Sequence, residues 1–349
     1  MSNLSANNTA ASPKILLVKL SSLGDVLHNL PIVWDLRTRL PNAQIDWVVE
    51  EGYVHLLEPL LSKDGFKGID HIISFGLRRW KKNLFKLATW QQFFAFKQKL
   101  QATQYDYLIE TQGLLKSALV CALANKSSKA VVAGLANATQ FSGYEPIAKS
   151  FYNQCVQVPV DCHAVDRSRK VICSALNWPL LERTNTPLFY PELFTQALAE
   201  KTIKGIQKPY VLCFHSTARA AKRWSNQHWS TLGKALSARG YQVVLPWGNP
   251  TEREISEELA KQIPGSFVPP AFSIGDAFSV IAHAALTIGV DTGLTHLAAV
   301  LGKPTVEIYC DSPLWKTEGY WAKNICNVGD IGHPPSASEV ADAALSLLP

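Results

Sequence analysis

The sequence predicts an α/β protein with two doubly wound, Rossmann-like domains that face each other across a cleft. Short apolar runs alternate with helical patterns along most of the 349 residues, which is typical of parallel sheets covered by helices. Residues 179–191 (PLLERTNTPLFYP) interrupt this alternation with several prolines and little periodicity, which indicates an interdomain linker. The alternation then restarts, so the chain contains two similar α/β halves.

The chain divides into four segments on this pattern. Residues 1–13 have the composition of a flexible tail. We place an N-terminal domain at residues 14–183, a C-terminal domain at 184–335 and a last helix at 336–349, which we expect to pack back on the N-terminal domain. The predicted strands lie at residues 15–18, 44–49, 70–74, 105–109, 130–133, 155–158, 210–214, 242–246, 286–290 and 305–309. In the second half the predicted helices lie near residues 227–239, 251–263, 274–283, 293–301 and 336–348.

The composition favours a globular protein with an acidic partner. With 47% hydrophobic and 18% charged residues, the chain has enough apolar side chains for sizeable cores. Its net charge of +6 favours phosphates, nucleic acid or an anionic membrane surface as partners. The 7 cysteines form no C-x-x-C pair, which fits a reducing cytosol. Neither a signal peptide nor an apolar run of membrane-spanning length is found, so any membrane role is expected to be peripheral.

The first predicted strand leads into a turn that carries Ser22, Gly24 and Asp25. Gly24 permits a tight turn or a close backbone approach. Asp25 stands before apolar residues at helical spacing, where a helix N-cap is expected. The turn therefore places a carboxylate at the carboxyl end of a strand, where open α/β sheets bind their ligands. A plain N-cap aspartate is the alternative interpretation.

Residues 289–296 (GVDTGLTH) join the end of a predicted strand to the start of a helix. The free N–H groups and the positive dipole end of such a helix bind anions. Gly293 lets a phosphate approach the backbone, and Thr292 adds a hydroxyl donor. Asp291 and His296 stand at the same helix start, so the segment predicts a phosphate site. An ordinary cap with a core histidine is the alternative.

Two further loops follow strands of the second half. Residues 215–224 (HSTARAAKRW) offer hydroxyl groups and cations. In this loop Arg219 and Lys222 suit a diphosphate, although a solvated basic loop explains the same residues equally well. Glu252 opens the helix after residues 246–250 (PWGNP). Its carboxylate would accept both hydroxyls of a ribose, or act only as a first-turn helix acid.

In the first half, residues 78–82 (RRWKK) precede a helical run that is rich in aromatic residues. Cations beside such a helix suit an anionic, lipid-like partner at a membrane surface. The same composition also occurs in nucleic-acid-binding surfaces and in core helices with a polar end. Residues 112–117 (QGLLKS) form a second candidate anion loop, and His163 and Arg167 lie one helical turn apart on a later helix.

Several catalytic motifs are absent from the sequence. It contains no D-x-D, no G-x-S-x-G and no P-loop, and no His/Cys cluster has metal-ligand spacing. These absences argue against a metal-templated transferase, a serine hydrolase and a kinase. The residues themselves therefore indicate a two-lobed α/β protein with a site for a nucleotide diphosphate.

A family resemblance is carried by an ordered set of segments: VKLSSLGDVLHNLP, WVVEEGY, LRRWKK, YDYLIETQGLLKSA, HAVDRSRK, HSTARAAKRW, LPWGNPTE and GVDTGLTHLAAVLGKPTV. With these segments the chain resembles the bacterial lipopolysaccharide heptosyltransferases, from about residue 14 to the last helix. The segments SSLGDVLH, WVVEEG and RRWKK are most similar to heptosyltransferase I.

The resemblance implies a GT-B fold and an inverting, metal-independent transfer with no cofactor. The implied reaction moves heptose from ADP-L-glycero-D-manno-heptose, a co-substrate, to the Kdo of Kdo-lipid A, as the first heptose of the lipopolysaccharide inner core. The implied location is cytoplasmic, peripheral on the anionic cytoplasmic face of the bacterial inner membrane, with no nucleic-acid partner.

The resemblance also assigns residues. It places acceptor binding in the N-terminal domain, donor binding in the C-terminal domain and the catalytic base at Asp25. The implied donor-binding residues are Thr217, Ala218, Lys222, Glu252, Asp291, Thr292, Gly293 and His296. The implied acceptor-binding residues are Ser22, Gly24, Arg78, Arg79, Lys82, Gln112, Lys116, His163 and Arg167.

Three alternatives differ in class. One is heptosyltransferase II or another sugar-nucleotide transferase of the same family, which acceptor and donor profiling would separate. A second is a sugar-nucleotide epimerase of GT-B fold, which would convert the donor alone. A third is a non-catalytic, basic protein of the membrane surface, which would be indifferent to loss of Asp25.

Overall fold

The computed structural model describes residues 12–63, 67–180, 203–217, 219–271, 273–320 and 322–348. These residues form two α/β units, each built on a parallel sheet, as predicted. The predicted tail lies almost wholly outside the described residues, and so does most of the predicted linker. The boundary between residues 183 and 184 therefore stays a prediction.

The N-terminal sheet has the strand order of dinucleotide-binding folds. Its strands are β1 (Lys14–Val18), β2 (Gln44–Glu50), β3 (His71–Phe75), β4 (Tyr105–Glu110), β5 (Lys126–Leu135) and β6 (Gln154–Val156). They form a 6-stranded sheet in the order β3-β2-β1-β4-β5-β6. The helices are α1 (Leu23–Leu27), α2 (Pro31–Arg39), α3 (Val54–Leu57), α4 (Leu77–Lys82), α5 (Leu87–Gln101), α6 (Leu115–Leu123) and α7 (Ala164–Ala175).

The C-terminal sheet is also parallel. Its strands are β7 (Tyr210–Phe214), β8 (Gln242–Val244), β9 (Leu286–Val290), β10 (Thr305–Tyr309) and β11 (Ile325–Gly329). They form a 5-stranded sheet in the order β11-β10-β9-β7-β8. The helices are α8 (Asn226–Ser237), α9 (Pro250–Gln262), α10 (Ile274–Ala282), α11 (Gly293–Val300), α12 (Leu314–Thr317) and α13 (Ala337–Leu347). Strand β11 was not predicted, because its side chains are only half-buried and give no apolar run.

Apolar runs form the strands of both sheets because helices cover both faces, which leaves most of these side chains without solvent contact. One cluster of buried side chains continues from the N-terminal unit into the C-terminal unit. It contains Val26 and Leu27 of α1 together with Phe278 of α10 and Leu297 of α11. The two units therefore share apolar packing next to the carboxyl ends of their strands.

The last helix packs on the C-terminal sheet, so the expectation that it returns to the N-terminal domain was wrong. Val340 and Ala344 of α13 are completely buried, in one cluster with Trp229 of α8 and Val306 of β10. Helix α13 packs against β10 and its neighbour β11 at the edge of the sheet. Without α13, this face of the two strands would be exposed to solvent. Among the described residues, no helix has the length and apolar character needed to cross a membrane.

Candidate active site

The candidate site lies where helix α1 of the N-terminal unit packs against helix α11 of the C-terminal unit. One glycine makes this approach close. A Cβ atom on Gly293 would lie 2.5 Å from Leu23 Cδ2, whereas one on Gly24 would lie 3.5 Å from His296 Cδ2, an ordinary van der Waals contact. This contact therefore does not require glycine at position 24. At Gly293 the space that a side chain would need is occupied by Leu23, so domain contact requires glycine there.

A cavity of about 370 Å³ opens beside this contact. It brings together predicted residues from both units: Ser22, Gly24, Asp25, Arg167, Thr217, Lys222, Asp291, Thr292, Gly293 and His296. Arg219, which was predicted with Lys222 to suit a diphosphate, also lines the cavity, and residues that the prediction did not assign complete the lining: Leu23, His28, Tyr53, Ala164, Lys316 and Thr317. The cavity therefore joins the predicted acceptor and donor halves in one space.

Asp25 is fixed by hydrogen bonds and charges on three sides. Its Oδ2 accepts hydrogen bonds from Ser22 N at 3.2 Å and Ser22 Oγ at 2.9 Å. Its Oδ1 lies 3.6 Å from Lys19 Nζ and 3.6 Å from Arg167 Nη2. The side chain remains 40% exposed, so one side of the carboxylate faces the cavity. Ser22 is the N-cap of α1 and Asp25 is the third helical residue, so the predicted N-cap position of Asp25 was wrong.

These neighbours decide the charge of Asp25. Burial alone would raise its pKa, but the charges of Lys19 and Arg167 and the hydrogen bonds from Ser22 hold the pKa well below its usual range. The group is therefore a carboxylate at neutral pH, able to accept a hydrogen bond from a ligand hydroxyl.

Lys19 is a functional candidate that the sequence analysis missed. Its side chain is almost completely buried behind Asp25, and Nζ also donates to Thr111 O at 3.2 Å. Burial lowers the pKa of Lys19 to about 8, although the nearby Asp25 opposes this shift. The available signal was the position of Lys19 directly after the apolar run ILLV. A lysine that ends a buried strand lies at the edge of the sheet where the site is expected.

On the opposite wall, Asp291 is the centre of a buried network. Its Oδ1 lies 2.9 Å from His296 Nε2, and its Oδ2 accepts from Lys222 Nζ and Ser312 Oγ. The other ring nitrogen of His296 lies 2.8 Å from Glu307 Oε1. Burial would raise the pKa of Asp291, but His296 and Lys222 hold that pKa well below its usual range. Asp291 thus fixes the positions of two cations at the cavity wall.

The start of helix α11 adds donors to this wall. Thr292 is its N-cap and makes no side-chain capping bond. Thr295 N donates to Thr292 O at 3.1 Å, so the donors that this helix start offers are the N–H groups of Gly293 and Leu294, at the positive end of the helix dipole. With Lys222 beside them, these groups form an anion site between the two units.

A second cavity of about 290 Å³ continues the first, and the two share Leu23, Thr217 and Thr292. Its walls include Trp247 and the carboxylate of Glu252. Glu252 Oε2 accepts from Gly248 N at 2.8 Å, which holds the carboxylate at the strand end where it was predicted. The combination of an apolar ring wall and a fixed carboxylate suits a nucleoside.

Some predicted acceptor residues lie beside the cavity and do not line it. Arg78 and Lys116 both pair with Glu50, each at 2.7 Å, and Lys116 Nζ also donates to Ser21 Oγ at 2.9 Å. Arg79 pairs with Glu51 on the exposed surface. The structure therefore gathers cations next to the turn that carries Asp25, together with the exposed Lys82 on the same helix.

Gln112 and His163 are not brought into the cavity. Gln112 is buried and its Oε1 accepts from Leu20 N at 2.9 Å. His163 caps α7 by accepting from Val165 N at 3.1 Å, and its Nε2 lies 3.1 Å from Glu318 O. Both side chains make hydrogen bonds within the protein, and their predicted role in acceptor binding stays a prediction. Ala218, the remaining predicted donor residue, lies outside the described residues.

Segment 314–318 was not predicted to contribute to the site. Thr317 O lies 3.2 Å from His28 Nε2, and Lys316 Nζ donates to Phe141 O. The His28 ring packs edge-on against the His296 ring, with 4.6 Å between the ring centroids. Burial and the neighbouring charge of His296 lower the pKa of His28 to about 4, so this ring is neutral at the domain contact.

This arrangement defines a class of protein. A carboxylate from one Rossmann-like unit faces cations and a helix start from the other, with a nucleoside-sized cavity alongside. In the described parts of the chain, no group of three or more His, Cys, Asp or Glu residues could hold a metal ion. The fold is GT-B: two Rossmann-like units with a cavity between them, as in the glycosyltransferases of this fold.

Comparisons with known proteins identify the family. The family model described as Glycosyltransferase family 9 (heptosyltransferase) matches residues 93–344. The chain belongs to this family.

Named relatives and a solved structure agree with this membership. The chain is 36% identical to lipopolysaccharide heptosyltransferase 1 of Pseudomonas aeruginosa over 296 residues, which cover 85% of this chain and 78% of the relative. It is 33% identical to lipopolysaccharide heptosyltransferase 1 of Escherichia coli K12 over 299 residues, which cover 85% and 87%. The structure of E. coli heptosyltransferase WaaC with ADP matches with a TM-score of 0.79 and 30% identity, over 96% of this chain and 99% of that one. The predicted resemblance to heptosyltransferase I is confirmed.

We predict that His296 stays protonated far above the usual histidine range. Burial would lower its pKa, but Glu307 and Asp291 raise the pKa to about 10. An unfolded histidine has a pKa of about 6.5. The folded state therefore holds an extra proton between these values, and the stability that His296 contributes is lost as pH rises through the folded pKa.

Histidine-selective NMR measures this directly, with the His296 signal assigned by its loss in the variant His296→Gln. We expect the ring signal to titrate near pH 10. A midpoint near the unfolded value of about 6.5 would contradict the ion pairing of this ring.

Proposed function

We propose that the chain is a heptosyltransferase of type I, which transfers heptose from ADP-L-glycero-D-manno-heptose to the Kdo of Kdo-lipid A with inversion. One observation carries the proposal: Asp25 of the N-terminal unit and Lys222 of the C-terminal unit line the same cavity. Inversion at an anomeric carbon requires a base on one face and a leaving group on the other. The relatives named heptosyltransferase 1 favour this reaction over that of type II or of an epimerase.

The donor is assigned to the C-terminal wall. Its nucleoside fits the cavity of about 290 Å³, with the ribose hydroxyls at Glu252. Its diphosphate lies at Lys222 and at the first-turn N–H groups after Thr292, where fixed positive charge offsets the charge that develops as ADP leaves. Asp291 is itself anionic, so it acts on the donor by positioning Lys222 and His296. This assignment requires no metal ion.

Asp25 is assigned as the base. It accepts a hydrogen bond from the attacking acceptor hydroxyl and receives its proton as the new glycosidic bond forms. Because Lys19 and Arg167 hold the pKa of Asp25 low, the carboxylate is a weak base. Proton transfer therefore comes late, when bond formation has made the hydroxyl strongly acidic.

The acceptor is assigned to the N-terminal wall. Arg167 lies within the cavity, and Lys116 contacts Ser21 in the turn that carries Asp25. Arg78 shares Glu50 with Lys116, and Arg79 and Lys82 lie on the same helix as Arg78. Guanidinium and ammonium groups suit the carboxylate of Kdo and the phosphates of lipid A. We place the protein peripherally on the cytoplasmic face of the inner membrane, where this lipid would be available, with no nucleic-acid partner.

The transfer reaction is tested by mass spectrometry. ADP-heptose is supplied with Kdo-lipid A or with heptosyl-Kdo-lipid A, with EDTA present in both reactions. We expect one heptose to be added to the first acceptor alone, because type I adds the first heptose without a metal. Transfer to the second acceptor alone would show type II. Conversion of the donor to an epimer without any acceptor would show an epimerase, and NMR of the donor measures it because epimers have equal mass.

The variant Asp25→Asn tests the base. It retains a group that accepts hydrogen bonds from Ser22 but cannot take a proton, so we expect kcat to fall by roughly 10²–10⁴-fold. Binding of ADP-heptose and the thermal unfolding midpoint are measured alongside. The control is Asp106→Asn, which removes a carboxylate that accepts from Lys14 N at the opposite end of β1. Near-native turnover of Asp25→Asn would exclude Asp25 as the base.

A further inference from the structure

The N-terminal unit contains a third concavity that the proposed reaction does not use. It is an apolar groove of about 650 Å³ between helices α4, α5 and α6, larger than either cavity of the candidate site. Its walls include Trp80, Trp90, Phe93, Leu119 and Leu123. Its volume and apolar walls are those of a small-molecule or acyl-chain site.

The mouth of the groove exposes large apolar side chains. Leu84, Trp90 and Leu119 line the groove and are each exposed to solvent. Phe85, in the turn between α4 and α5, and Leu87, the first residue of α5, are exposed as well. Contiguous exposed apolar surface of this kind marks a binding site for a protein, a membrane or a ligand.

Charge at the rim selects among these ligands. Lys81 belongs to the groove lining, and Lys82 and Lys86 are exposed close to it in the chain. Lys116 also lines the groove but already pairs with Glu50 at 2.7 Å. The one acidic residue of the lining, Glu145, is occupied, since it accepts from Leu115 N at 2.6 Å. An apolar channel with an ammonium rim complements an amphiphile that has an acyl chain and an anionic head group.

The groove is also connected to the candidate active site. Lys116 lines the groove, and its Nζ donates to Ser21 Oγ at 2.9 Å. The next residue is Ser22, whose hydroxyl donates to Asp25 Oδ2 at 2.9 Å. A single amphiphile can therefore have its sugar head group at Asp25 and its chain in the groove.

We propose that the groove binds an acyl chain of the lipid acceptor while the sugar of that acceptor reaches Asp25. This inference rests on the proposed function, because it assumes a lipid-linked acceptor. It assigns substrate recognition to α4, α5 and α6, in addition to the charged residues at the cavity.

The experiment compares KM for the acylated and the fully deacylated acceptor. The test variant is Leu119→Asp, which places a charge in the groove at a side chain that is already 43% exposed. The control is Phe94→Asp, because Phe94 lies on α5 outside the groove lining and is 60% exposed. We expect Leu119→Asp to raise the ratio of KM for acylated over deacylated acceptor roughly tenfold, the equivalent of about two buried methylene groups. We expect Phe94→Asp to leave this ratio unchanged.

Two results would overturn the proposal. An unchanged KM ratio in Leu119→Asp would show that the acyl chain of the acceptor does not bind in the groove. An equal change in Phe94→Asp would show a general surface effect. If Leu119→Asp weakens binding to phosphatidylglycerol vesicles and leaves the ratio unchanged, the groove takes a bilayer lipid, and the proposal is wrong.

Failure of the proposed function would be seen separately, as no turnover of either acceptor by the unmodified protein. In that case, the groove is tested by measuring the binding of monomeric dodecyl phosphate, which has an alkyl chain and an anionic head group. We expect its Kd to be about tenfold weaker for Leu119→Asp than for the unmodified protein. Equal affinities would overturn the proposal whatever the reaction.

Discussion

The close contact between helices α1 and α11 is the constraint on which the site depends. Gly293 faces Leu23 so closely that any side chain would displace it, and Gly24 lies next to His296 in the same contact. Through this contact, the carboxyl ends of two separate parallel sheets face one cavity. Asp25 enters from one sheet and Lys222 from the other, so neither domain alone contains both groups of the proposed reaction.

The charges at the cavity are paired in a way that suits exchange with a ligand. Lys222 pairs with Asp291, which also has His296 and Ser312 as partners. When Lys222 turns to an anionic ligand, Asp291 therefore keeps these partners and the hydroxyl of Thr317, which limits the penalty of leaving a buried carboxylate without compensation. Asp25 is supported in the same way by Lys19 and Arg167. Preorganised charges of this kind stabilise a developing anion without reorganisation.

The sequence predicted the secondary structure well because a sheet covered on both faces requires apolar strands, and such runs are visible without long-range information. Strand β11 escaped prediction because its side chains are only half-buried. The packing of α13 was predicted wrongly, since an amphipathic face shows that a helix is covered but does not show which sheet covers it. Asp25 was predicted at the N-cap of α1, but it lies three residues further on, because Ser22 is the N-cap. Both Ser and Asp are acceptable capping residues, so the sequence does not distinguish them.

The parts of the site that depend on a short stretch of sequence were predictable. The parts that depend on packing between distant elements were missed. The anion site at Thr292 and Gly293 follows from a strand that ends in a helix start. Lys19 gave no comparable signal, because its burial behind Asp25 depends on how α7 brings Arg167 alongside. His163 and Gln112 look like ligand residues in sequence, but folding commits them to backbone hydrogen bonds.

The central claim is that donor and base occupy opposite walls of one cavity. A crystal structure of the protein with a fluorinated ADP-heptose analogue tests it most directly. We expect diphosphate oxygens within about 2.7–3.2 Å of Lys222 Nζ and of the first-turn N–H groups of α11. We expect the Asp25 carboxylate on the opposite face of the anomeric carbon. A diphosphate bound away from Lys222, or on the same face as Asp25, would contradict the account.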